Sequence, residues 1–265
     1  MKELWVPLSA AIARQNQVDT IANNIANVNT PGFKKDRLAF KEYLQVQEKG
    51  LSDIDLPNKT WSPEDFYRTH GNENAQVKID GTFTDFDQGS LTPTNGPLDL
   101  GIQGKGFFEI RTPQGLRYTR RGNFSISNEG KLTTDQGFPV IRKLNSPDEN
   151  VLDITIPNAK ISINERGEIY AGNNLVGQIS VVEFNDIHAL QKENHSLFIN
   201  PEEENIKRED INTRVAQGFL EQSNVNVIHE MSNLIKASRN FDSVQRVIKT
   251  YDSMAQKSNN SILRF

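Results

Sequence analysis

The sequence has no cysteine, which removes both a disulfide framework and thiolate chemistry. It has no run approaching the ~18 consecutive apolar residues of a membrane-spanning helix. The first residues, Met1-Lys2-Glu3-Leu4-Trp5-Val6-Pro7, lack a hydrophobic signal core, which argues against standard secretion through a cleaved signal. An excess of one charge is missing too. The net charge is −4 and the isoelectric point is near 5.7, so there is no electrostatic case for nucleic acid or an anionic membrane surface. Apolar content is 35% and mean hydropathy is −0.59, which is polar for a chain of 265 residues. Part of the surface is therefore expected to need partners to cover it. The length suits one large domain or two smaller ones.

Recognisable catalytic groupings are also lacking. His70, His188, His195 and His229 are dispersed, without metal-ligand spacing. Asp85 and Asp87 stand near Gly89, but no glutamate follows at the twelfth position of a calcium loop, so they read as an acidic turn. Gly101-x-x-Gly104-x-Gly106 is not the dinucleotide fingerprint and lies between strands, where it reads as hairpin geometry. The serines form no nucleophile motif, and Glu202-Glu203-Glu204 reads as a solvated loop. The expectation is no catalytic residue, no cofactor and no metal.

What is present is periodicity. Leu4, Ala11, Val18 and Ile25 recur every seven residues, with Leu8 and Ala22 on the half-steps and Gln15 as a polar interruption. This is one face of a helix over about residues 2–27. Asn23, Asn24, Asn27 and Asn29, whose short amides compete for backbone groups, then precede Pro31 and Gly32, so the helix stops there. At the other end Val227, Leu234, Phe241, Ile248, Ala255 and Ile262 again stand seven apart, with Met231 on the half-step. Asn224 or Asn226 caps this second helix. Its other half-steps, Ser238, Gln245, Asp252 and Asn259, are polar, while Val244, Val247, Tyr251 and Met254 make a second stripe.

Between the helices the period changes to two. Leu38 to Val46 suits a short helix or an extended arm. Residues 47–76 read as an irregular connector pinned by Trp61, Phe66 and Tyr67, either to this chain's own β-domain or to a neighbouring subunit. From Ile79 to Asn200 short alternating segments separated by glycine- and asparagine-bearing turns predict an antiparallel all-β domain, with Val176–Phe184 as its longest strand. The expected fold is thus α+β. An N-terminal helix over 1–35, a connector over 36–77, a β-domain over 78–210 and a C-terminal helix over 211–265 are its parts, with the helices forming one discontinuous coiled-coil domain.

A buried Leu, Ile or Phe contributes about 1.5–3 kcal/mol, whereas ordering backbone costs about 1–2 kcal/mol per residue. A seam that is only half apolar is therefore weak in isolation. Two stripes on one helix predict more than one packing partner, and so assembly with other copies, with a self-contained antiparallel hairpin of the two helices as the alternative.

Three motifs carry a resemblance. Ala22-Asn23-Asn24-Ile25-Ala26-Asn27 with Asn29-Thr30-Pro31-Gly32-Phe33 resembles the N-terminal signature of the flagellar rod and hook proteins. Asp99-Leu100-Gly101-Ile102-Gln103-Gly104-Lys105-Gly106-Phe107-Phe108 and Tyr118-Thr119-Arg120-Arg121-Gly122-Asn123-Phe124 resemble a central pattern of that family. Gln217-Gly218-Phe219-Leu220-Glu221-Gln222-Ser223-Asn224-Val225-Asn226-Val227 is similar to its entry into the C-terminal helix. The resemblance implies a non-enzymatic axial subunit of the basal-body rod, exported without a cleaved signal by the flagellar type III apparatus. It would polymerise with itself and other axial proteins across the periplasm, without membrane insertion. Asn24, Ile25, Ala26, Asn27, Thr30, Gly32 and Phe33 match the signature and would shape the helix end. Leu4, Leu8, Val18, Ile25, Val227, Met231, Leu234, Phe241 and Ile248 are the expected assembly interface. Thr82 to Leu91 resembles the proximal rod subunits, and residues 47–76 lack the glycine-rich segment usual in the distal one. Lys257 to Phe265 departs from the family's apolar finish. A rival from another class is a periplasmic glycan-binding or glycan-cleaving β-domain with Asp85, Asp87 or Asp99 in a cleft.

Overall fold

A computed structural model of the chain describes residues 5–45, 74–143, 153–156, 160–193, 196–207 and 212–262. Leu4, Trp61, Phe66, Tyr67, His70 and His195 lie outside them. Helix α1 covers Trp5–Ala26. Strands β1 (Asp36–Gln45) and β2 (Asn74–Thr84) follow, then β3 (Leu91–Pro93), β4 (Leu100–Gln103), β5 (Phe107–Thr112), β6 (Gly115–Thr119), β7 (Phe124–Ile126) and β8 (Leu132–Thr134). After them come β9 (Ile161–Ile163), β10 (Glu168–Ala171), β11 (Asn174–Gln178), β12 (Val181–Phe184), β13 (Gln191–Glu193) and β14 (Leu197–Ile199). Strands β15 (Ile206–Lys207), β16 (Arg214–Gln217) and β17 (Phe219–Glu221) lead to helix α2, Val227–Ile262. Two long helices thus flank a mostly antiparallel β-rich region, an α+β arrangement. The chain divides into two compact units, one of Met1–Asn23, Arg37–Phe83 and Ile228–Phe265, the other of Asn24–Asp36 and Thr84–Val227.

In the first unit, β1 and β2 form a two-stranded sheet, so Leu38 to Gln45 is an arm in extended form and not a helix. Ser9 Oγ of α1 accepts the Val77 N–H at 3.3 Å, and the Arg14 guanidinium lies over the Phe40 ring at 5.8 Å. Leu8, Ala11, Ile12, Gln15 and Asn16 of α1 face Phe241, Gln245, Ile248, Lys249 and Asp252 of α2 across an open groove of about 620 Å³.

Along α2 Val227, Glu230, Leu234, Ala237, Phe241, Val244 and Ile248 are buried or half-buried at alternating steps of three and four, with Asn233 half-buried beside them. The inward half-step is therefore three residues after each heptad position, not four. Met231 is 51% exposed and off this seam, with Ile228 and Ile235 beside it at 83% and 55%. Ala237 and Val244 occupy the places expected for Ser238 and Gln245, so the inward stripe is more apolar than the sequence spacing suggested. The buried Glu230 sits in the first turn of α2, where the helix dipole favours a carboxylate.

In the second unit a six-stranded sheet runs β13-β14-β6-β5-β12-β15. Consecutive residues of a strand point to opposite faces. Phe107 and Phe108 of β5 are both fully buried, which requires cover on both faces. Phe108 and Ile110 join one core with Leu100, Ile102, Leu132 and Ile169, while Phe107 joins the other with Tyr118, Phe184 and Phe198.

Two expectations are corrected here. Residues 176–184 are not one strand: β11 belongs to a three-stranded sheet with β10 and β9, and β12 to the six-stranded one. The chain changes sheets at Ile179-Ser180, where Ile179 enters the core and Ser180 pairs with Ile141 and Glu109. The glycines between β4 and β5 do not turn a hairpin, because β4 pairs with β16 and β5 with β6 and β12. A Cβ at Gly106 would instead run into Thr213 and Val181 at 2.7–2.8 Å, so this glycine serves close packing.

Candidate functional site

The segment that follows α1 is built into the second unit by its own side chains. The helix ends in tightened turns, Asn27 N–H to Asn24 O and Val28 N–H to Ile25 O, both 3.2 Å. Asn24 is almost fully buried, and its amide makes a reciprocal pair with the Asp36 backbone. Its Nδ2 donates to Asp36 O at 2.9 Å, and its Oδ1 accepts Asp36 N–H at 3.0 Å. The Thr30 hydroxyl donates to Asn27 Oδ1 at 3.2 Å, closing the turn between them. Ile25 is half-buried and Ala26 exposed. Gly32 has φ +66° and donates its N–H to Glu221 O at 2.8 Å. A Cβ there would lie 2.5 Å from the carbonyl carbon of Arg120 and 2.6 Å from Arg121 N, so the backbones approach too closely for any side chain. Phe33 is buried, and Lys192 Nζ stands over its ring at 4.0 Å.

Next along the chain is a buried ion cluster. Lys34 Nζ donates to Glu221 Oε1 and to Asp87 O, both at 2.7 Å. The other carboxylate oxygen of Glu221 accepts Arg120 Nη1 at 3.2 Å, and Gly89 N–H donates to Oε1 at 2.9 Å. Arg120 Nη2 donates to Gly104 O at 2.7 Å, and its guanidinium lies over the Phe107 ring at 4.8 Å. Two cations and one carboxylate are thus sealed from solvent. Desolvation pulls the Lys34 ammonium below its ordinary range, outweighing the attraction of Glu221, with the nearby Arg120 pulling the same way. Burial likewise lowers the Arg120 guanidinium, again against the pull of Glu221.

Two further groups tie the same strip of chain. Asn224 Oδ1 accepts Lys35 N–H at 2.8 Å, while its Nδ2 donates to Asp85 O at 2.8 Å and Asp87 O at 3.2 Å. Asn224 is thus a tie, and Asn226 is the residue directly before α2. Lys192 Nζ donates to Lys34 O at 2.7 Å and to Asp36 Oδ2 at 2.8 Å, and the Thr84 hydroxyl donates to Asp36 Oδ1 at 2.8 Å. Burial lowers the Lys192 ammonium, partly offset by Asp36. Residues 24, 36, 84 and 224, each beside a passage of the chain between the two units, are therefore linked by hydrogen bonds inside one of them.

Sequence reasoning named Asn24, Thr30, Gly32 and Phe33, and Asn224 only as a helix cap, but gave no role to Lys34, Arg120 or Glu221. These three and Asn224 lay in or beside the motifs, and only the fold shows that three distant motifs meet. Among the other expected residues, Leu8 is 44% exposed, whereas Val18, Val227, Leu234, Phe241 and Ile248 are half-buried. Of the acids of the rival reading, Asp85 and Asp99 are engaged in turns and Asp87 is exposed. Asp85 pairs with Lys35 at 3.3 Å and accepts Asp87 N–H, and Asp99 takes the Thr94 hydroxyl.

The arrangement fastens distant parts of the chain together. It defines a class: an antiparallel β-body whose buried ion cluster binds the exit of one terminal helix and the entry of another, both with apolar side chains open to solvent. Comparisons with known proteins agree on what that class is. Residues 6–34 match the family described as flagella basal body rod protein. Residues 101–171 match the flagellar hook protein FlgE/F/G D1 domain, and residues 216–261 the flagellar basal body rod FlgEFG protein C-terminal region. The chain is 34% identical to the flagellar basal-body rod protein FlgG of Borreliella burgdorferi, with 98% of each chain covered. It is 31% identical to FlgF of Caulobacter vibrioides, covering 98% of this chain and 96% of that one, and 32% identical to FlgG of the same organism. The chain belongs to the flagellar basal-body rod protein family.

Proposed function

We propose that this structural rod subunit occupies the proximal part of the rod, as FlgF does, and polymerises helically through α1 and α2 to transmit torque between motor and hook. The observation that carries the reading is the apolar surface of α2. Ile228, Met231 and Ile235 are all more than half exposed on a helix whose other face is already turned inward. Such a contiguous stripe marks a surface awaiting a partner. Leu8, Val18, Ile25, Val227, Leu234, Phe241 and Ile248 would complete the interface, with Leu4 as its outermost member. The helices would close into a coiled coil when neighbouring copies fill the groove between them.

Travel through the flagellar export apparatus without a cleaved signal, residence across the periplasm and the absence of enzymatic activity follow from the same reading. The same reading divides the chain into an N-terminal segment to residue 35 that carries α1, a connecting segment to 77, a β-domain to 210 and a C-terminal segment that carries α2. Among the described residues no helix is long and apolar enough to cross a membrane. A distal position, as for FlgG, is the second reading, favoured by the 34% identity to a FlgG protein.

Electron cryotomography of motors in a strain lacking this protein separates the two. A rod halted close to the inner-membrane ring is the expected result. A nearly full-length rod without a hook would transfer the subunit to the distal position. Normal motors and normal swimming would remove the structural reading altogether.

A further inference from the structure

The turn between β3 and β4 carries Asn95-Gly96, the one Asn-Gly pair in the sequence. Asn95 is exposed and holds a positive φ of 60°, the left-handed region that asparagine adopts more readily than other residues with a side chain. Its successor has no side chain to hinder its backbone nitrogen. That nitrogen is the nucleophile that attacks an asparagine side chain when a succinimide forms. Here its hydrogen points into a short relay. Gly96 N–H donates to Thr94 Oγ1 at 3.4 Å, and the Thr94 hydroxyl donates to Asp99 Oδ2 at 2.6 Å. The Asp99 carboxylate is packed against Gly96 so closely that a Cβ there would lie 2.4 Å from Oδ2. A carboxylate acting through one bridging hydroxyl is within the reach required of a general base.

We propose that Asn95 is a self-modifying site, converted to aspartate and isoaspartate by its own backbone with Thr94 and Asp99 as the proton relay. Gly96 N forms a bond to Asn95 Cγ while its proton passes through Thr94 to Asp99. The Cγ–Nδ2 bond then breaks, and ammonia leaves with a proton returned along the same path. One water opens the resulting succinimide at either carbonyl. Opening at one carbonyl gives aspartate; opening at the other gives isoaspartate, with an added methylene in the backbone. Either product places a new negative charge beside Asp99. Isoaspartate also lengthens the chain where Thr94 N–H and Asn95 N–H both donate to Gly218 O, at 2.8 and 3.2 Å. The turn thereby carries a mark of the molecule's age, of the chemical class recognised by isoaspartyl carboxyl methyltransferases.

The full-length protein is incubated in mildly alkaline buffer and digested, and the peptide containing residue 95 is followed by mass spectrometry and by enzymatic isoaspartate methylation. A synthetic peptide of residues 90–103 runs beside it. Asn95 should convert faster in the folded protein than in the peptide. Thr94→Val should slow it by about tenfold or more, Thr94→Ser should keep it, and Asn95→Gln should abolish the signal. Asp99→Asn should act like Thr94→Val, scored only if its melting curve matches the parent. Conversion slower than in the peptide, or a Thr94→Val rate equal to the parent, overturns the proposal.

Discussion

Lys34 Nζ lies 2.7 Å from Oε1 of Glu221, 187 positions further along the chain, and neither side chain has any exposed surface. Arg120 shares the same carboxylate. Among the groups in direct contact there is one more positive than negative charge, and this imbalance ranks the members of the cluster. Glu221→Gln removes the one carboxylate hydrogen-bonded to both cations and leaves only the more distant Asp85 and Glu183 to balance them, and a buried charge stripped of its partner costs about 3–5 kcal/mol. Lys34→Met leaves Arg120 and Glu221 balanced and forfeits hydrogen bonds worth about 1–3 kcal/mol when left unmade. Urea unfolding should place Glu221→Gln well below Lys34→Met; equal losses would refute the charge argument.

The same burial gives stability an alkaline dependence. Lys34 and Lys192 lose protons more readily folded than unfolded, because desolvation lowers both below the usual 10.5. Between the lowered folded value and 10.5 the unfolded chain holds more protons, so stability from this source rises with pH in that window. Below the folded value the cost of burying the charge is complete and constant. Melting curves through the alkaline range should show Lys34→Met losing part of the gain that the parent shows. A variant whose pH profile runs parallel to the parent would assign the effect elsewhere.

Gly32 and Gly172 share nearly the same backbone angle, φ +66° and +61°, but only Gly32 is hemmed in by backbone. Gly172→Ala should cost about 1–2 kcal/mol, the left-handed penalty alone. Gly32→Ala must also displace the Arg120–Arg121 peptide and should exceed about 4 kcal/mol. Comparable thermal shifts in the two variants would contradict the close approach.

Ile228→Lys and Ile235→Lys change exposed positions of α2 and should leave monomer stability within about 0.5 kcal/mol. Swimming and rod completion should nevertheless fail if this stripe joins copies of the subunit. Variants that swim normally would exclude these two positions from the interface.

The helices were legible because their period runs over many residues and their ends carry strong local signals. Trp5–Ala26 falls inside the expected 2–27, and α2 begins directly after Asn226. The side of the seam was not legible. Ala237 and Ser238 both continue a heptad pattern, and only packing decides between a half-step of three and one of four. Residues 176–184 looked like one strand because nothing local marks the change of sheet at Ile179. The ion cluster was least accessible, since Lys34, Arg120 and Glu221 are residue types that belong on surfaces. Their motifs were visible one by one, but their convergence depends on β17 pairing with β3 and on Gly32 meeting Arg120.

The cluster also makes the β-body a test of chain completeness. Its two cations are in place once residue 120 exists, yet their anion arrives only with residue 221, alongside β16 and β17, the partners of β4 and β3. A copy broken off before that point keeps unpaired strand edges and uncompensated charge in its middle, and it cannot close. Truncation before residue 221 is therefore expected to leave the β-body open, which limited proteolysis of such a fragment would reveal.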